Sequence, residues 1–267
     1  MNKKTILQAP FLSLYSLSFY REVLNAPLRA GLIYLTFLSL IASLTAGLAF
    51  NARSLPEMRE FVQWLKSSAP PLTLTPDGLQ MDAPSPYVMV HPRFGPIVTL
   101  DLTKTTPEEK DFRNGTLLFL TAKQGFLYSG RKIRAFEYVK GAGRFKPVPI
   151  TGEIYESSGK ILRRMLLAGI PIAVFFFFFL WKMTVALIYA GFAGLINRFR
   201  RAPVSYRALL NLCLFAMTPF VLIELSAFLI PGFEIRGGFF TGLTMTSLYV
   251  GLVLHKTDAE ALQEADR

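Results

Sequence analysis

Residues 28–50 read LRAGLIYLTFLSLIASLTAGLAF, and the only charge among them is Arg29, at the edge. A helix needs about 20 mostly apolar residues to cross the hydrocarbon core of a bilayer, and this stretch has that length. It reads as a first transmembrane span. The composition of the whole chain agrees. Of its 267 residues 52% are hydrophobic and 18% are charged, where soluble domains carry about 25% charged residues, and the mean hydropathy is +0.38.

Three further stretches are nearly free of charge. Residues 161–197 include five consecutive phenylalanines at 175–179 and are interrupted by Trp181 and Lys182. At ~1.5 Å per residue they outrun a ~30 Å core, so this second span must tilt, break, or lie partly along the interface. A third span covers 209–230 and stops at Pro231-Gly232; a short fourth covers 239–255, after a tight loop at 231–238 that carries Glu234 and Arg236. Residues 51–160 are mixed and polar. The expected fold is therefore a membrane α-helical bundle of about four transmembrane helices, with an inserted small extracytoplasmic α+β domain, mainly antiparallel β.

Short loops rich in Lys and Arg stay in the cytoplasm. Lys3, Lys4, Arg21 and Arg29 lie at or before the first span, and Arg198, Arg200, Arg201 and Arg207 fall in the 198–208 loop. Both termini, including the 256–267 tail, are thus expected in the cytoplasm of a bacterial-type cell, with 51–160 outside its plasma membrane. Arg163 and Arg164 run against that orientation, but long domains translocate largely regardless of charge. Ala46 and Ala49 suggest a signal-peptidase site; the long lead before the apolar core and its spanning length favour an uncleaved anchor. Within the 1–27 segment, residues 10–24 (PFLSLYSLSFYREVL) are amphipathic and aromatic. They suit a helix at the inner headgroup layer or one packed on the spans.

In 51–160 the order Ser54-Leu55-Pro56-Glu57, then Phe61, Trp64 and Leu65, reads as a capped amphipathic helix stopped by Pro70-Pro71. The period then changes to two. Leu72-Thr73-Leu74, the turn Thr75-Pro76-Asp77-Gly78 and Leu79-Gln80-Met81 predict a hairpin, and strands are expected at 87–90, 97–102, 117–121, 126–128 and 133–139.

The net charge of +11 divides between span ends and the polar segment without forming a basic stripe, so lipid is the expected counterpart and nucleic acid is not. The single cysteine, Cys213, lies in the third span and the two histidines, His91 and His255, lie far apart. No disulfide is possible within the chain, and no His/Cys zinc spacing occurs. No metal or cofactor is expected. Asp77 is explained by its turn with Gly78, and Asp82 and Asp101 complete no calcium loop.

Five residues form the candidate intramembrane polar site: Lys182, Asn211, Thr218, Pro219 and Glu224. Ionisable groups in hydrocarbon are costly and functional by default. Lys182 either pairs with Glu224 or snorkels to the interface beside Trp181. Asn211 and Thr218 add polarity to the third span, and Pro219 frees a carbonyl that something else must satisfy. Gly191 and Gly194, and Gly237-Gly238 with Gly242, would allow close helix approach.

Several pieces also carry a resemblance. Ser13-Leu14-Tyr15 and Phe19-Tyr20 come before the first span; Leu72-Thr73-Leu74, Asp77-Gly78-Leu79, Ile97-Val98-Thr99-Leu100-Asp101, Leu118-Phe119-Leu120-Thr121 and Tyr128-Ser129 follow; Ser205-Tyr206 and Ala216-Met217-Thr218-Pro219 close the series. In this order and spacing they resemble the bacterial membrane proteins grouped as domain of unknown function 1189 (DUF1189), relatives of the Yip1-like membrane proteins. The resemblance implies a topology and an envelope setting, and no catalytic residues.

The function expected from these readings is a non-enzymatic envelope protein whose external β domain binds a protein or polymer, as an accessory to a transport or envelope complex. The alternatives are a small oligomeric transporter or channel using Glu224 and Lys182, and an envelope sensor or intramembrane enzyme. The sequence sets no oligomeric state.

Overall fold

The computed structural model describes residues 3–112, 115–130, 132–138, 146–200, 203–230 and 238–265. The chain divides into two compact units, one made of Met1–Ala52 with Leu166–Arg267 and one of Arg53–Met165. Among the described residues, three helices are long and apolar enough to cross a membrane: Leu28–Ser68, Gly152–Asn197 and the stretch Tyr206–Ala227. The chain is a membrane protein.

The first unit opens with α1 (Lys3–Tyr15) and α2 (Leu17–Asn25). Ser16 separates them and caps α2, accepting a hydrogen bond from the Phe19 N–H at 3.2 Å. Ala26 is extended, at φ −77° and ψ 147°, because the Pro27 ring excludes the helical region for the residue before it. The chain turns there into α3 (Leu28–Ser68). These helices pack on the unit through one face, with Ala9, Phe19, Tyr20 and Val23 buried in the same cluster as Tyr34, Leu38, Phe215 and Val250, while Leu7, Phe11 and Tyr15 stay exposed.

The other helices are α4 (Gly152–Asn197), α5 (Tyr206–Ala216), α6 (Thr218–Leu229) and α7 (Gly238–Ala265). Buried residues on α4 recur at Phe178, Lys182, Val185, Ala186, Tyr189, Ala190 and Ala193, the three-and-four spacing of one helix face. Its other faces expose Phe176, Phe177, Leu180, Leu187, Phe192 and Leu195, as hydrocarbon rather than water would require. α5 is buried on all sides from Ala208 to Ala216 and forms the axis of the unit. α7 contains the fourth apolar stretch without being among the three long apolar helices, and the 231–237 part of the expected loop, with Glu234 and Arg236, lies outside the described residues.

The second unit holds residues 53–68 of α3, residues 152–165 of α4 and two sheets. β1 (Leu72–Thr75), β2 (Gly78–Met81) and β8 (Val148–Ile150) form one sheet in the order β2-β1-β8. β3 (Tyr87–His91), β4 (Gly95–Leu100), β5 (Leu118–Leu120), β6 (Gln124–Ser129) and β7 (Lys132–Glu137) form the other in chain order. All pairings are antiparallel except β4 with β5. Trp64, Leu72, Leu79, Met89, Val98 and Leu100 form one core and Phe112, Phe119 and Phe126 a second.

One local reading changes. No helix starts at Ser54, because α3 runs unbroken from Leu28 to Ser68 with Pro56 inside it. The proline removes one N–H, whereas ending and restarting the helix would orphan four groups at each new end. The long second stretch is likewise one 46-residue helix with Pro171 inside it. Ser43 Oγ donates to the Pro171 carbonyl at 2.8 Å, and Gly47 lets the proline ring approach, since a Cβ there would lie 3.0 Å from Pro171 Cγ.

Candidate functional site

Lys182 and Glu224 meet. The Lys182 ammonium pairs with Glu224 Oε2, bringing α4 against α6, and only 3% of the lysine side chain and 25% of the glutamate side chain remain accessible. The ammonium also lies 5.0 Å from the Phe220 ring centre and 5.4 Å from that of Phe178. Two negative ring faces and a carboxylate thus replace the hydration the cation loses. α7 closes on the same region at Gly242, where a Cβ would sit 2.8 Å from the Phe220 ring and 3.2 Å from Tyr189 Oη. At Gly191, by contrast, a Cβ would meet nothing within 4 Å.

Thr218 and Pro219 open α6 and Asn211 lies on α5; Thr218 and Asn211 reach residues of α3. Pro219 lacks the N–H that would bond the Phe215 carbonyl; the Thr218 hydroxyl donates to that carbonyl instead, at 2.6 Å. Having given its proton there, Thr218 Oγ1 accepts from Tyr34 Oη at 2.7 Å. The Tyr34 ring stacks on Phe215 with centres 4.2 Å apart. The freed carbonyl is therefore satisfied within the bundle, and α5 and α6 meet at Met217 without separating: the Met217 N–H bonds the Cys213 carbonyl at 3.1 Å. Asn211 Nδ2 donates to the Ala26 carbonyl at 2.8 Å, at the Pro27 turn, and its Oδ1 has no hydrogen-bond partner among the described residues. Gly31 makes this crossing possible, because a Cβ there would sit 2.5 Å from Asn211 Oδ1.

The five residues therefore serve two arrangements, an ion pair between α4 and α6 and a set of hydrogen bonds tying α6 to α3 and α5 to the turn that precedes α3. Tyr34 belongs to the second and escaped notice, although a tyrosine inside an apolar span needs a partner for its hydroxyl. Arg200 also went unread as more than a topology signal: its guanidinium pairs with Asp258 at 3.0 Å and bonds the Leu254 carbonyl at 2.8 Å, tying the end of α4 to α7. Between α4, α5 and α7 lies a cavity of about 250 Å³ lined by Tyr189, Ala193, Cys213, Thr246, Val250 and His255, with the Arg200–Asp258 pair at its edge.

The second unit carries an aromatic patch. His91 packs among Trp64, Phe94 and Phe61, with ring centres at 4.8, 4.9 and 6.1 Å, and the Arg93 guanidinium lies 5.4 Å from the Phe94 ring centre. Phe94 is 62% exposed, and on β3 Val90 is 57% and Val88 46% exposed. β3 is an outer strand of its sheet. Asp101 is buried, which would push its carboxyl up, yet hydrogen bonds from Thr103 and Ser85 and the charge of Lys104 hold it below the usual carboxylate range; it braces loops. Among the described residues, no three His, Cys, Asp or Glu side chains group as metal ligands.

Residues 8–254 match the family described as protein of unknown function (DUF1189). The chain belongs to that family. No curated protein and no solved structure matches it. The family brings no assigned activity, and the match runs through both units, from α1 to the Leu254 turn of α7.

Proposed function

We propose that the chain is a non-enzymatic, multi-pass protein of a bacterial plasma membrane whose 53–165 unit lies outside the cytoplasm and binds a protein or polymer of the envelope. In this reading there are four spans, formed by α3, α4, α5 with α6, and the 239–255 part of α7. Both termini and the 198–208 basic loop are cytoplasmic, as the Lys and Arg bias near span ends favours.

The observation that carries the partner-binding role is the patch of Phe61, His91 and Phe94, next in sequence to Val88 and Val90, which the outer strand β3 leaves exposed. Interface hot spots are rich in aromatic side chains and Arg, and an outer strand leaves one row of backbone groups open to a partner. Exposed apolar residues on a polar unit cost solubility unless something covers them. The test is affinity capture from crosslinked native membranes, comparing the intact chain with a Val90→Thr/Phe94→Ser variant. Partners captured by the intact chain should fall by about tenfold or more in the variant. Equal recovery from both would overturn the assignment of the patch.

The ion pair supports a second reading, an oligomeric transporter or channel, because a charged pair inside a bundle is a common element of ion and proton pathways. Flux in proteoliposomes that vanishes in Glu224→Gln and Lys182→Met variants would select it over the first.

A further inference from the structure

Within the 53–165 unit, α3 and α4 form the walls of a groove of about 350 Å³, lined by Met58, Arg59, Val62 and Lys66 from α3 and by Glu156, Lys160 and Arg163 from α4, among others. The helices can run this close because Gly159 faces Val62, where a Cβ would lie 2.9 Å from Cγ2. Four cations line the groove against one carboxylate. That carboxylate is shared: Glu156 Oε1 lies 2.8 Å from Lys160 Nζ and Oε2 lies 3.5 Å from Lys66 Nζ. Arg59 and Arg163 have neither an ion pair nor a hydrogen bond among the described residues.

Two unpartnered guanidinium groups in one groove are an anion site waiting for its ligand, since the planar fork matches phosphate oxygens. Four like charges held in one groove repel one another, so with a single carboxylate among them they call for a compensating anion. Their position argues for which phosphate. Arg163 lies in the first turn of the apolar 161–197 stretch, and Arg59 lies nine residues, ~13 Å of helical rise, beyond the 28–50 stretch. Those heights bracket the headgroup layer that flanks a ~30 Å core.

We infer that this groove binds the phosphate of an anionic phospholipid of the outer leaflet, gripped by Arg59 and Arg163 with Lys66 and Lys160 beside them. The inference rests on the reading that the 53–165 unit adjoins the outer face of the bilayer, but its first test does not. Full-length protein in an uncharged detergent is titrated calorimetrically with dihexanoyl phosphatidylglycerol, dihexanoyl phosphatidylcholine and glycerol 1-phosphate. The phosphatidylglycerol should bind at least about tenfold more tightly than either of the others. An Arg59→Gln/Arg163→Gln variant should lose about tenfold or more of that affinity, while a Lys132→Gln/Arg134→Gln variant, which removes the same charge from β7, should lose less than about twofold.

Equal binding of the two lipids would overturn the anionic selectivity. Equal binding of glycerol 1-phosphate would overturn the lipid as source, and an unchanged affinity in the groove variant would overturn the site. None of these results bears on the aromatic patch, which lies on the β3 side and is tested by partner capture.

Discussion

Among the described residues Glu224 and Lys182 each have one counter-charge, and that sets what their substitution does. Removing one partner leaves a buried charge alone, at a cost of about 3–5 kcal/mol, whereas replacing both with apolar residues of similar size is often neutral or stabilising. Glu224→Gln should therefore lower the unfolding temperature of the detergent-solubilised chain more than Lys182→Met/Glu224→Leu does. A double variant as unstable as the single one would show that the lone Lys182 charge is not what destabilises Glu224→Gln. At Thr218 the argument concerns a carbonyl. Thr218→Val keeps the shape and strips the Phe215 carbonyl of its donor, so a loss of about 1–2 kcal/mol is expected, read from the same melting curves. The polar residues of the third span were legible one by one, because each is out of place in hydrocarbon. Their partners were not, since Ala26 and Tyr34 are 185 and 184 positions away from Asn211 and Thr218 and no periodicity links residues at such distance.

At the scale of elements, the hairpin at 72–81 and five further strands follow from period-two runs and their turn residues. β8 escaped that reading, being three residues long with Pro149 at its centre. A proline is tolerated there because β8 is an outer strand of its sheet. The helix expected to begin at Ser54 failed for the opposite reason, local cap chemistry being outweighed by an already formed helix. In the hairpin, Gly78 sits at φ +133°, where a Cβ would also come within 2.3 Å of the Ala122 carbonyl oxygen. Gly78→Ala should cost the second unit about 2 kcal/mol or more, seen as lost protection of the Leu79 amide, which bonds that same carbonyl at 2.6 Å, in hydrogen exchange.

The 3₁₀ turn at Glu109–Phe112 supplies a pH dependence. Lys104 Nζ bonds both Asp111 oxygens, at 2.8 and 2.9 Å, and this contact holds the Asp111 carboxyl below its ordinary value. A carboxylate with a depressed folded-state pKa contributes its stability above the unfolded value near pH 4 and loses it as the pH falls through the folded value. The second unit should accordingly lose stability below about pH 4, and Asp111→Asn should flatten that part of the profile while lowering the plateau above it. An identical acid limb in the variant would remove Asp111 from the explanation.

For the whole molecule, the apolar stretches, the polar segment between them and the family resemblance were readable from composition and order, and three helices with a β-rich unit between their sequence segments are what formed. The aromatic patch and the basic groove were not readable, because each gathers residues from elements that folding alone brings together: Phe61 with His91 and Phe94, and Arg59 with Arg163. Both proposals require the 53–165 unit to face away from the cytoplasm. The chain's only cysteine, Cys213, is buried, so an introduced one can report by itself. The decisive measurement is labelling of Thr106→Cys and Arg198→Cys variants in intact cells with a membrane-impermeant maleimide, repeated after lysis. Labelling at position 106 in intact cells, with position 198 labelled only after lysis, is the predicted result; the reverse pattern would contradict the orientation and with it the external binding role.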